Sequence, residues 1–240
     1  MNFHENDLRD LRTNAYSKFI SRIYRYKKLR RVGNRLINLL DVDPMVSKLR
    51  RELVMNHCSV YVGAYSYGPF LQIGKMPPNL SVGRYVSVAS DVNVFRRNHP
   101  TEFLSLHPYF YNPELGIVDR EIFSHEPLEI CHDAWIGSGV KITPGCRRIG
   151  VGAVIGAGAV VTKDIPDFAI AMGVPARIVR FRFPVDFQSD ILCSRWWEFP
   201  IEALAKVIKH MCKPASKIEL AQILQKTKDV VRPIPPDVSR

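Results

Sequence analysis

Through residues 136–163 an aliphatic side chain returns at a step of six, at Ile136, Ile142, Ile149, Ile155 and Val161, with one extra residue at Arg147 and Arg148. The position after each is small in most units, Gly137, Gly150 and Gly156, with Thr143 and Thr162 as departures. Four residues after each of the first four stands another compact apolar side chain: Val140, Cys146, Ala153 and Ala159. A flat strand facet has room for one large inward side chain, and a facet that must turn sharply accepts only a compact residue beside the corner. Three such facets close a triangular coil of roughly 18 residues, and coils of this kind stack into a parallel β-helix.

The same rule reaches upstream. VGRYVS begins at Val82, VASDVN at Val88, and Val94 follows; Val62 and Gly63 with Ser66, and Ile73 with Gly74, are earlier matches. The repeat stops at Phe95 and resumes near Ile130. Residues 95–128 are polar, aromatic and proline-rich without a period, and a long insert in a regular scaffold is usually functional. The predicted organisation is therefore a basic helical region at 1–55, a solenoid at 56–183 carrying the 95–128 insert, and C-terminal helices with a tail at 184–240. Asp43 and Pro44 predict a turn, and residues 76–79, with two prolines, a loop. Asp190, Ile191, Leu192, Trp196 and Trp197 predict a short amphipathic stretch. Pro200 predicts a helix start, followed by Ile201, Leu204, Ala205, Ile208 and Met211 at helical spacing. Ser216 and Glu219 form a capping-box pattern, and the tail VRPIPPDVSR is expected to be disordered. These helices would cover the open end of the solenoid.

The formal net charge of +11 is concentrated before Leu53. Arg22, Arg25, Lys27, Lys28, Arg30, Arg31 and Arg35 alternate with Ile20, Ile23, Leu29, Leu36, Ile37, Leu39 and Leu40, the pattern of a basic amphipathic helix. Three roles stay open for it: contact with an anionic membrane surface, contact with a phosphorylated or acidic substrate, and a solvated helix packed on the first coil. No motif for binding nucleic acid is present. The five cysteines, Cys58, Cys131, Cys146, Cys193 and Cys212, are odd in number and include no CxxC pair. Cys146 falls on an inward repeat position, which predicts a small core residue. A reducing cytoplasm fits, with peripheral membrane contact through the basic helix as an addition. No apolar run reaches the length of a membrane span, and the first ten residues lack the apolar centre of a signal peptide.

Residues 135–183, WIGSGVKITPGCRRIGVGAVIGAGAVVTKDIPDFAIAMGVPARIVRFRF, resemble the last coils of the hexapeptide-repeat acyltransferases. Tyr65-Ser66-Tyr67-Gly68, Asn98-His99-Pro100 and Arg195-Trp196-Trp197-Glu198 narrow the resemblance to the xenobiotic acetyltransferase branch. That branch includes chloramphenicol and streptogramin acetyltransferases and many sugar O-acetyltransferases. The likeness spans roughly residues 60–200. It implies a mainly β fold, a left-handed parallel β-helix with an inserted loop and flanking N- and C-terminal α-helices. It further implies a homotrimer whose active sites lie between subunits beside the loop. The left hand is an exception to the usual crossover rule.

Acetyl transfer from a thioester to a hydroxyl requires a base, a stabilised oxyanion and a long groove for CoA. His99 opens the insert and matches the family's catalytic histidine, so it is the expected general base. His107 and His125 lie on the insert and either line an acceptor pocket or face water. His132 resembles a polar position that precedes the Trp135 coil; His4, His57 and His210 lie outside the insert. The histidine spacing does not resemble a zinc site, and no metal is expected. For acetyl-CoA the resemblance implies Ser138 and Gly139, then Ala157, then Thr162 and Lys163, with Arg177 and Arg180 meeting the nucleotide phosphates; the alternative for the three cations is a solvated charge. Trp196 and Trp197 are expected to pack. A backbone N–H of a neighbouring coil is the expected oxyanion donor. The expected activity is acetyl-CoA-dependent O-acetylation of a saccharide or surface polysaccharide intermediate. An antibiotic acetyltransferase, an N-acetyltransferase of a nucleotide-linked amino sugar and a non-catalytic scaffold are the alternatives.

Overall fold

The computed structural model describes Leu8 and residues 10–120, 122 and 125–228; His4 and the 231–240 tail lie outside them. Helices α1 (Ser17–Tyr24), α2 (Arg30–Leu40) and α3 (Lys48–Cys58) precede β1 (Val60–Val62). The coils then run through β2 (Leu80–Val82), β3 (Ser87–Val88) and β4 (Asn93–Val94). After the insert come β5 (Leu128–Ile130), β6 (Trp135–Ile136), β7 (Lys141–Ile142), β8 (Arg148–Ile149), β9 (Val154–Ile155) and β10 (Val160–Val161). Strands β11 (Ala169–Met172) and β12 (Arg177–Phe181) finish the sheet region. Successive strands enter three different sheets, ordered β1-β2-β5-β8, β12-β11-β9-β6-β3 and β10-β7-β4. From β2 to β10 every third strand returns to the same sheet, which makes a three-sided coil, and all pairings are parallel except β11 with β12.

The core follows the six-residue step. Ile136, Ile142, Ile149, Ile155 and Val161 are fully buried, and so are Val140, Cys146, Ala153 and Ala159. Facing coils stack like on like: Ile136 on Ile155, Ile142 on Val161, Ile130 on Ile149. Gly137, Gly150 and Gly156 are small for a reason of space. A Cβ on Gly137 would lie 2.8 Å from the Ala157 nitrogen and one on Gly150 2.4 Å from the Asp167 nitrogen, both in the next coil. The corner backbone is turned elsewhere, three residues after the aliphatic, where Tyr65, Tyr85, Asp133, Gly152 and Phe168 all have positive φ. Side chains on that edge are thrown outward to meet the C-terminal helices: the Tyr85 hydroxyl donates to the Phe199 carbonyl at 2.8 Å.

Several expected features take a different form. Ile73 and Gly74 sit in a turn after a 3₁₀ segment and add no strand. The basic amphipathic helix is two helices, α1 and α2, joined through a bend and a 3₁₀ turn at Lys27–Leu29. They fold against each other because Gly33 leaves room for the Tyr24 ring, whose carbons would lie 2.5 Å from a Cβ there. The Tyr24 hydroxyl also donates to Asn34. The helix expected after Pro200 is broken into α5 (Ile201–Ala205) and α6 (Ile208–Met211), between α4 (Val185–Ser194) and α7 (Lys217–Lys226). Ser216 caps α7 by accepting from the Glu219 N–H, while the Glu219 side chain turns to His210 and Lys213. Among the described residues no helix is long and apolar enough to cross a membrane.

Candidate active site

The insert grows from the end of β4, and Arg96 fastens its two ends. Its buried guanidinium donates to the Glu126 and Pro127 carbonyls at 2.7 and 2.6 Å, and to the Thr143 and Cys146 carbonyls of the next coil at 3.2 and 2.9 Å. The Glu126 N–H returns to the Arg96 carbonyl at 2.8 Å. A charge taken out of water needs this many acceptors, and in return they fix where the loop leaves and rejoins the coil.

Three residues further on, His99 Nδ1 lies 2.7 Å from the Leu106 carbonyl oxygen and 2.7 Å from the Tyr111 hydroxyl. A carbonyl can only accept, so Nδ1 carries a proton, which leaves Nε2 as the nitrogen free to exchange a proton with a partner. Tyr111 is buried and meets the imidazole edge-on at a centroid distance of 5.7 Å. The His99 ring itself is exposed. A histidine with one nitrogen tied to a carbonyl presents the other for proton transfer. His107 does a local job instead: its Nδ1 accepts from the Tyr109 N–H and starts a 3₁₀ turn. His132 is structural. It is buried, stacks on Trp197 at 5.2 Å and accepts the Arg84 N–H on Nδ1. Burial first, then the Arg84 and Arg195 charges, push its pKa down to about 3, so it stays neutral. Burial raises the Cys131 and Cys146 thiols to about 12, which removes them as nucleophiles.

The residues expected along CoA fall on two edges of the coil stack. Ser138 and Gly139 turn the corner after β6, and Ala157 the equivalent corner one coil on, where the Gly158 N–H donates to the Ser138 carbonyl at 2.7 Å. The Ser138 hydroxyl donates to Asp91 at 2.7 Å, and together with the Gly139 N–H holds that carboxyl below its usual range. Thr162 and Lys163 turn the next corner, after β10, on the edge from which the insert and His99 spring. The face between the two edges is one strand facet, on the order of 15 Å at 3.3 Å per residue. One chain therefore puts the root of the His99 insert on the same edge as Thr162 and Lys163, and Ser138 with Gly139 and Ala157 on the other edge.

Arg177 and Arg180 stand three apart on β12, a spacing that would send them to opposite faces of a regular strand. A bulge at the Ile170/Ala171 step restores them to one face, since Arg180 pairs with Ile170 and Arg177 with Met172. Arg180 also lines a cavity of about 470 Å³ beside the C-terminal helices. Arg96, Leu106, Tyr111 and Asp91 hold the insert, His99 and Ser138 in place, and sequence reasoning missed them. Each acts through a partner at least seven residues away, and no periodic signal marks them.

No protein-family model matches the chain. A chloramphenicol acetyltransferase of Agrobacterium fabrum is 34% identical over 171 residues, which are 66% of this chain and 81% of that protein. One from Escherichia coli is 30% identical over 190 residues, 71% of this chain and 90% of that protein. A galactoside O-acetyltransferase of Escherichia coli K12 is 37% identical over 119 residues, 48% of this chain and 56% of that protein.

Proposed function

The chain belongs to the hexapeptide-repeat acetyltransferases of the xenobiotic branch, and on that footing we propose that it moves an acetyl group from acetyl-CoA to a hydroxyl of a saccharide or surface polysaccharide intermediate. The observation that carries this reading is the orientation of His99, with Nδ1–H held by the Leu106 carbonyl and Nε2 left for the acceptor. In the proposed reaction Nε2 takes the acceptor's hydroxyl proton as the acceptor oxygen attacks the thioester carbonyl. Backbone N–H groups of the neighbouring coil stabilise the oxyanion, and collapse expels the CoA thiolate, which receives the proton back from His99. Ser138, Gly139 and Ala157 line one side of the CoA groove, and Thr162 and Lys163 the other. Arg177 and Arg180 face the phosphates, where charge-assisted hydrogen bonds favour them. No metal has a role in this scheme.

Placement of the two groups on separate edges supports a homotrimer, in which one subunit's His99 edge meets the Ser138 edge of its neighbour; the left hand of the coil follows from the family resemblance. The transferase unit in this reading is residues 56–183 with the insert at 95–128, between the helical region 1–55 and the helices and tail of 184–240. A second reading, antibiotic acetylation, is favoured by the names of the two chloramphenicol relatives. The test is CoA thiol release from acetyl-CoA with a panel of mono- and oligosaccharides, capsular glycans and chloramphenicol. Faster release with a glycan than with chloramphenicol supports the first reading, and the reverse order supports the second. Release with an amino sugar alone would replace both with N-acetylation, and no release with any acceptor would leave the solenoid as a scaffold.

A further inference from the structure

We infer that the outer face of the N-terminal helix pair is a docking surface for anionic lipid. Between Leu11 and Leu40 the sequence has nine Lys and Arg and no acidic residue. Of the chain's 34 Lys and Arg this leaves 25 against 23 Asp and Glu, so nearly all of the +11 excess belongs to this one segment. The fold sorts the segment into an inner and an outer face. Ser17, Ile20 and Tyr24 of α1 and Gly33 and Ile37 of α2 are buried against each other and α3. On α1 the outer face is Lys18, Phe19 and Arg22, and on α2 it is Arg31, Val32, Arg35 and Leu39, all exposed.

Two properties of that face select the partner. Its cations have no carboxylate of their own helices to pair with, so an anionic surface is the complementary one. Its apolar side chains are large and stand out between the cations: Phe19 is 61% exposed, Val32 48% and Leu39 73%. A polynucleotide or a polyanionic glycan would satisfy the cations and gain nothing from Phe19, Val32 or Leu39. A bilayer interface takes both, with the apolar side chains entering the acyl boundary and the cations meeting headgroup phosphates. A second copy of the same face would set cation against cation. Tyr24 and Gly33 hold the two helices together, so the face is built into the fold and needs no folding on contact. The inference does not depend on the acetyl-transfer reading.

The test is flotation of the full chain with vesicles of phosphatidylcholine alone and with about 30 mol% phosphatidylglycerol, at low and high salt. The chain should float with the anionic vesicles only and be released as salt rises. The triple substitution Arg22→Gln, Arg31→Gln and Arg35→Gln should weaken flotation roughly 100-fold, taking a surface cation at about fivefold each. The pair Phe19→Ser and Leu39→Ser should weaken it with charge untouched and the thermal melt preserved. Flotation that ignores the apolar pair but is competed fully by soluble heparin would overturn a lipid partner in favour of a polyanion. Absence of flotation with the anionic vesicles at low salt would overturn the inference, and thiol release measured in the same preparations is unaffected by either outcome.

Discussion

The coils of residues 129–172 and the insert of residues 95–128 are built on opposite terms. In the coils each large side chain has an equivalent one turn away, and Ile136, Ile142 and Ile155 are completely buried. In the insert Leu104 is fully exposed, Leu106, Tyr109, Phe110 and Ile117 are largely so, and Tyr111 is the buried hydrophobic residue among those described before Leu128, where β5 begins. Its order comes from separate ties: Arg96 at the root, the Leu106 carbonyl on His99, and two 3₁₀ turns capped by His107 and Asn112. The contrast teaches that repetition makes the scaffold stable while single hydrogen bonds shape the insert that carries His99. Stability and activity should therefore separate by region.

The sharpest break would be at His99. His99→Ala should lower kcat roughly 10²–10⁴-fold while CoA affinity and the melting temperature stay near those of the parent. A melt that fell with activity would mean that the histidine is part of the scaffold after all. In the coils the opposite is expected: Ile136→Ala should cost about 2–5 kcal/mol of stability by denaturant titration, because a fully buried side chain leaves a cavity between two coils. A loss under 1 kcal/mol would say that the coil relaxes as readily as the loop.

A third test uses pH at the corner column. His132 is neutral in the folded chain with a pKa near 3, below its unfolded value near 6.5. The unfolded chain binds the extra proton first, so stability is lost as pH falls through the window from 6.5 toward 3, at up to about 1.4 kcal/mol per pH unit. Between pH 7 and 4.5 the parent should lose about 2–3 kcal/mol more than His132→Asn, whose amide keeps an acceptor for the Arg84 N–H. Equal losses would remove the histidine from the acid response.

Smaller effects sharpen the picture at the site. Lys163→Ala should weaken acetyl-CoA binding by about 1–3 kcal/mol in calorimetry without a change in melting temperature, and an unchanged affinity would return Lys163 to a solvated charge. Tyr111→Phe removes one of the two contacts on His99 Nδ1 and leaves the Leu106 carbonyl. Its kcat should fall by about tenfold or less, with the pH–rate profile displaced and KM little changed.

What was legible in the sequence divides along the same line. The six-residue step marked each buried aliphatic of the coils, because each contact in a solenoid is to a neighbour at a fixed offset. It failed at Ile73, where the step was met by two residues without a strand to follow. It had no purchase on Arg96, whose acceptors lie 30 to 50 residues away in the chain. The motif at Asn98-His99-Pro100 marked His99, but neither Leu106 nor Tyr111 carries a pattern that ties it to the imidazole. The basic segment showed its charge plainly, yet not its fold into two helices, because that turns on the fit of one tyrosine ring over one glycine. At β12 a single bulge reverses the face that counting by twos assigns.

The pairing register around the insert has a consequence for change over generations. Val82 faces Ile130, Val88 faces Ile136 and Val94 faces Ile142, a constant offset of 48, while across the next turn the offset is a constant 19. The stack closes above and below the loop as though nothing had been added. Additional loop length costs little, about 0.6 kcal/mol for a doubling. A lineage can therefore lengthen, trim or exchange this loop while every coil keeps its partner.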